Sequence, residues 1–85
     1  MPSQEAFSLV RLRVTAEADP GALARVLERF QNRNIIPRCI RAEWGVAGTL
    51  HIQVDVIGVS EQVISLITAK LNRIPCVLNA YWHPA

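Results

Sequence analysis

Residues 49–57 read TLHIQVDVI, with Leu50, Ile52, Val54 and Val56 alternating with His51, Gln53 and Asp55. An apolar side chain at every second position is the period of a β-strand with one buried face. Just upstream, residues 38–44 read RCIRAEW, which puts Ile40, Ala42 and Trp44 on one side and Cys39, Arg41 and Glu43 on the other. Gly45-Val46-Ala47-Gly48 joins the two runs. Two alternating strands around a short glycine-bearing loop predict a β-hairpin at the centre of the chain.

The flanks repeat one theme on both sides of this hairpin. Phe7–Val14 reads FSLVRLRV, a strand with Val10, Leu12 and Val14 on one face. Ala18-Asp19-Pro20-Gly21 interrupts it. Asp19 suits a helix cap, and Pro20 suits the first helical position, where its missing N–H is not needed. Leu23, Val26, Leu27 and Phe30 then fall at i, i+3, i+4 and i+7, one apolar stripe of an amphipathic helix. That helix is expected to end near Asn34, since Pro37 forbids its continuation. After the hairpin, Ser60 is a good N-cap, and Val63, Ile64, Leu66, Ile67 and Leu71 form a second helical face. Pro75 follows it, and Val77–Trp82 (VLNAYW) is a last strand with Leu78, Ala80 and Trp82 facing in.

The order is therefore β-α-β-β-α-β. It predicts an α+β, ferredoxin-like sandwich with both helices on one face of a four-stranded antiparallel sheet. Right-handed crossovers give the strand order 4-1-3-2. The even-phase strand residues are expected to meet the helices. The opposite face would carry Leu9, Arg11, Arg13, Cys39, Arg41, Glu43, His51, Gln53, Asp55, Asn79 and Tyr81, and would face water.

Eighty-five residues fit one domain, expected over 1–85 with its core at about 8–82. Apolar residues make up 51% of the chain, an excess that suggests a second copy or a partner covers part of the surface. Nine basic and seven acidic residues leave a charge of +2, too mild to draw in nucleic acid or anionic lipid from a distance. Neither a secretory leader nor a membrane span is legible, and Cys39 and Cys76 are expected as reduced thiols in a cytoplasmic protein.

Few residues suggest chemistry. No nucleophile–base–orienter set or phosphate-binding loop is present, so no catalytic residue and no cofactor is assigned, and the chain reads as a non-enzyme. His51, His83, Cys39 and Cys76 match no structural zinc spacing. Arg11, Arg13 and Arg41 could line the open sheet near Tyr81, but the stacking aromatics of an RNA-binding sheet are missing there. The Asp19-Pro20-Gly21 junction stands out. A helix N-terminus favours an anion, a glycine admits a carboxylate close to the backbone, and Asp19 could hold an ammonium group. Those properties suit an α-amino acid. The same three residues are also simply a good helix start.

The strand LVRLRV, the turn ADPGAL, the helix ARVLERFQNRNI and the hairpin after them resemble the ACT domain over about Leu9 to Trp82. The most specific part is Pro20-Gly21-Ala22-Leu23, then Arg25-Val26, Phe30 and Arg33-Asn34-Ile35. In length the chain is similar to the shortest regulatory subunits of acetolactate synthase. The resemblance implies a regulatory domain that binds an amino acid or related metabolite, joins a second copy side by side into an eight-stranded sheet, and modulates a separate catalytic subunit. It implies a ligand site formed by Ala18, Asp19, Pro20, Gly21, Ala22 and Leu23 together with Asn34, Ile35 and Ile36. Two positions depart from the family pattern: Ala18 and Ile36 stand where polar residues are usual. Such a site implies a more apolar ligand, or none, in which case the chain is an assembly module.

Overall fold

The computed structural model describes residues 8–85. Its elements are β1 (Leu9–Glu17), α1 (Ala22–Gln31), β2 (Cys39–Trp44), β3 (Thr49–Ile57), α2 (Glu61–Leu71) and β4 (Val77–Pro84). The strands form one sheet in the order β2-β3-β1-β4, every neighbouring pair antiparallel. That is the expected 4-1-3-2 arrangement read from the other edge. Phe7, expected in the first strand, lies outside the described residues.

The alternation read in β1 and β3 is what builds the core. Leu12, Val14, Ile52, Val54 and Val56 project from the central strands onto Val26 and Phe30 of α1 and Ile64, Ile67 and Leu71 of α2, all buried. β1 runs three residues beyond its expected end, so Ala16 joins the core and Thr15 the open face. No helix among the described residues is long and apolar enough to cross a membrane.

Both ends of α1 differ from expectation. Asp19 does not cap the helix; Gly21 occupies that position, with no side-chain cap. Asp19 instead organises the turn before it: its Oδ1 accepts from the Gly21 N–H at 3.3 Å, and its carbonyl accepts from the Ala22 N–H at 2.9 Å. At the other end the helix stops at Gln31, short of Asn34. The Ile35 N–H reaches back to the Phe30 carbonyl and the Asn34 N–H to the Gln31 carbonyl, both at 3.0 Å, while Asn34 sits at φ 55°. This is the left-handed helix stop that asparagine tolerates better than most residues. Asn34, not Pro37, ends the helix.

Five expected inward positions are exposed: Leu66, Leu78 and, in β2, Ile40, Ala42 and Trp44. In β4, Thr15 pairs with Asn79 but Ala16 pairs with Val77, so one extra residue is accommodated at Leu78. This bulge turns Val77 into the core and leaves Leu78 58% exposed. Leu66 lies on the flank of α2 and is also exposed. The largest departure is β2. Its phase is as expected, but all six of its residues are exposed, because β2 forms the sheet edge beyond the cover of the helices.

Candidate functional site

The junction after β1 is held by its own side chains. Arg25, one turn into α1, donates from Nη1 to Asp19 Oδ2 at 3.2 Å. The same nitrogen lies 3.9 Å from the Cys76 sulfur. Backbone bonds from Glu17 to Cys76 and from Ala18 to Gly48 tie the loop to β4 and to the hairpin. Gly21 has φ −87°, which any residue adopts. An added Cβ there would meet only the Arg25 guanidinium, at an ordinary 3.7 Å. Neither conformation nor packing within the chain calls for glycine at this position.

The two segments assigned to the ligand site do not meet within one chain. Asp19 follows the end of β1, where Glu17 lies opposite Thr49. Asn34, Ile35 and Ile36 precede β2, whose first residue Cys39 lies opposite Asp55, itself opposite Arg11. Six residues of β1 separate these ends, about 20 Å at the rise of a strand. Ala18, Asp19, Pro20, Gly21, Ala22 and Leu23 are therefore at one end of the sheet, and Asn34, Ile35 and Ile36 at the other.

The β2 edge connects the two ends. Ile36 is 90% exposed, Trp44 76% and Val46 83%, with Ile40 partly exposed between them. An uncovered strand with an apolar flank is a template for pairing with another chain. The opposite edge is protected. Asn72, just past α2, donates from Nδ2 to the Ala80 carbonyl at 2.9 Å and accepts at Oδ1 from the Ala80 N–H at 3.0 Å. One side chain thus occupies the outward-facing backbone of β4 as a neighbouring strand would. A two-fold axis at the β2 edge would lay the two β2 strands antiparallel. The Asn34–Ile36 segment of one copy would then arrive at the Asp19 end of the other.

The helix-free face has its own electrostatic centre. Asp55, only 5% exposed, accepts from Arg11 Nε at 2.8 Å and Nη2 at 3.0 Å, with the Gln53 amide at 3.4 Å. The Arg11 hydrogen bond holds the Asp55 carboxyl below its ordinary range against the opposing effect of burial, and raises the Arg11 guanidinium in return. Sequence reading placed both residues on this face but missed their pairing, which joins positions 44 residues apart. His51 lies in register opposite Glu43, and its Nδ1 stands 3.3 Å from Thr15 Oγ1. Cys39 and Cys76 are both free thiols. Among the described residues no cluster of three metal-ligating side chains forms.

A family model described as an ACT-like domain matches residues 3–85. The chain belongs to the ACT-like domain family. Solved structures share the fold at low identity. The C-terminal domain of the MgtC protein from Mycobacterium tuberculosis matches with a TM-score of 0.77 at 19% identity, over 99% of this chain and 94% of that one. The ACT domain from GTP pyrophosphokinase of Chlorobium tepidum matches with a TM-score of 0.74 at 13% identity, over 88% of this chain and 96% of that one. A homoserine dehydrogenase from Thiobacillus denitrificans matches with a TM-score of 0.75 at 16% identity; the similarity covers 99% of this chain but 19% of the dehydrogenase. No curated protein sequence matches the chain. In each of these three proteins the shared fold is one part of a larger chain.

Proposed function

We propose that this ACT-like chain is a non-catalytic regulatory module that binds an amino acid or related small metabolite between two copies paired through β2. By that binding it would modulate a partner metabolic enzyme such as acetolactate synthase. The observation that carries this reading is the separation of the two candidate segments to opposite ends of one chain, beside an exposed apolar edge. Antiparallel pairing of β2 is the simplest operation that rejoins them and covers that edge. Gly21 adds support, since nothing inside the chain requires it and a ligand approaching the backbone would. A ligand buried between two subunits favours the arrangement in which both halves of its site are present, and so couples its concentration to the geometry offered to a partner.

A second reading has its own support. The Asp19 carboxylate is already engaged by the Gly21 N–H and the Arg25 guanidinium, and Ala18 and Ile36 offer no polar group. On that basis the same edge serves assembly with a catalytic subunit and no ligand. Isothermal titration of the folded dimer against the twenty amino acids and the branched-chain 2-oxo acids separates the two. The sensing reading expects heat from at least one of them, lost in Gly21→Leu. Silence from all of them sinks sensing and leaves assembly.

A further inference from the structure

The helix-free face holds a second candidate site, independent of the Asp19 loop. The register aligns one residue from each strand in a row: Arg41 on β2, Gln53 on β3, Arg13 on β1 and Tyr81 on β4. The right-handed twist of the sheet makes its open face concave along a diagonal. Here the concavity holds about 370 Å³ and is lined by Arg13, Arg41, Gln53, Tyr81, His51 and Glu43, among others. That volume is at the lower end of the range for small-molecule sites, about 300–1,000 Å³.

The charges in it are unbalanced. The contact ion pairs among the described residues are Arg11–Asp55, Arg25–Asp19 and Arg29–Glu28, so neither Arg13 nor Arg41 touches a described carboxylate, and Arg13 acts on Asp55 only through space. Arg13 is half-buried, and its Nε donates to His83 Nε2 at 3.1 Å. The other ring nitrogen of His83 stands 2.9 Å from the Pro84 carbonyl oxygen. An imidazole supplies no negative charge to the arginine it contacts. This contact aims the guanidinium without neutralising it, and leaves its remaining N–H donors for another acceptor.

We propose that the groove between Arg13 and Arg41 binds the oxyanion of a small molecule, a phosphate or a carboxylate, with Tyr81 flanking the rest of it. Two guanidinium groups converging from strands two apart suit the planar, multi-acceptor geometry of these anions. Glu43 stands two residues along β2 from Arg41, on the same face. It disfavours a second anionic group, so the site selects a single compact anionic head over a polyanionic strand.

The test is a ¹H–¹⁵N correlation titration of the full chain with inorganic phosphate, adenosine 5′-monophosphate and benzoate. Expected are saturable shifts in the β1, β3 and β4 residues of the groove for at least one probe. Arg13→Gln and Arg41→Gln should each weaken that binding by about tenfold, the worth of one charge-assisted hydrogen bond. Arg33→Gln, in the separate basic cluster of Arg29, Arg33 and Lys70, should leave it unchanged. Response to phosphate and the nucleotide alone assigns a phosphate, and response to benzoate alone a carboxylate. Arg41 is exposed on an edge strand, so its variant keeps the fold and the spectrum reports that directly. No groove shifts from any probe up to ~10 mM, well beyond a weak millimolar affinity, would overturn the proposal, as would binding indifferent to both glutamine variants. Neither result bears on the Asp19 loop.

Discussion

Asp55→Asn offers a sharp test of how the open face is held together. The asparagine keeps the shape and one acceptor oxygen but loses the charge and one of the two bonds from Arg11, at 2.8 and 3.0 Å. Breaking a fully buried ion pair costs about 3–5 kcal/mol. The Asp55 side chain is 7% exposed, but that of Arg11 is 28% exposed and regains water when released. The expected loss is accordingly about 2 kcal/mol, roughly 8–16 °C in melting temperature for a domain of this size. The pH dependence adds a second signature. The Asp55 carboxyl titrates below its ordinary value in the folded state. Its contribution is therefore complete above the unfolded pKa of about 3.9 and is lost as pH falls through that value towards the folded one. Urea unfolding followed by tryptophan fluorescence, at fixed protein concentration, should show a constant gap between wild type and variant from about pH 5 to 7, shrinking by about pH 3. A gap under about 0.5 kcal/mol at pH 7, or one that persists unchanged in acid, would refute the assigned role.

Two further substitutions probe the frame of the sheet. Asn72→Ala removes both bonds to the Ala80 backbone and should cost about 1–2 kcal/mol in the same unfolding assay. It should also raise the tendency to self-associate in sedimentation velocity, because it uncovers the β4 edge. Ala47 sits at φ 55° in the hairpin loop, a conformation that costs a non-glycine residue about 1 kcal/mol or more. Ala47→Gly relieves that strain while gaining unfolded-state entropy, so a net stabilisation of about 0.5 kcal/mol is expected; a destabilised variant would contradict the strained loop.

How far the fold can be read from sequence depends on whether the signal is local. The run Thr49–Ile57 carries its period within nine residues, and β3 has the phase that period predicts. Leu78 could not be placed, because its exposure follows from a bulge created by pairing with Thr15 and Ala16 of β1, far away in the sequence. In β2 the alternation correctly divides Ile40 and Trp44 from Arg41 and Glu43. Alternation says which residues share a face; it does not say whether anything covers that face. Asn34 reads as a possible ligand group by position, but its left-handed backbone gives it a local duty in ending α1. For the candidate site, sequence names the segments and cannot say that they lie at opposite ends of the sheet. That fact emerges only from the register, and it makes a second copy part of the argument.

The pairing of β2 with its counterpart is the step on which the shared site depends, and a distance between the two copies of Cys39 measures it. Cys39 is exposed and Cys76 is buried, so a Cys76→Ala chain carries a spin label at Cys39 alone. If β2 pairs antiparallel about its midpoint, the two Cys39 positions are five residues apart along the strands, about 17 Å. If the copies instead join through β4, seven inter-strand spacings separate them, about 34 Å. Double electron–electron resonance distinguishes these arrangements. A dominant distance near the shorter value is what the account predicts; a distance near the longer one, or no dipolar coupling between copies at all, would contradict it.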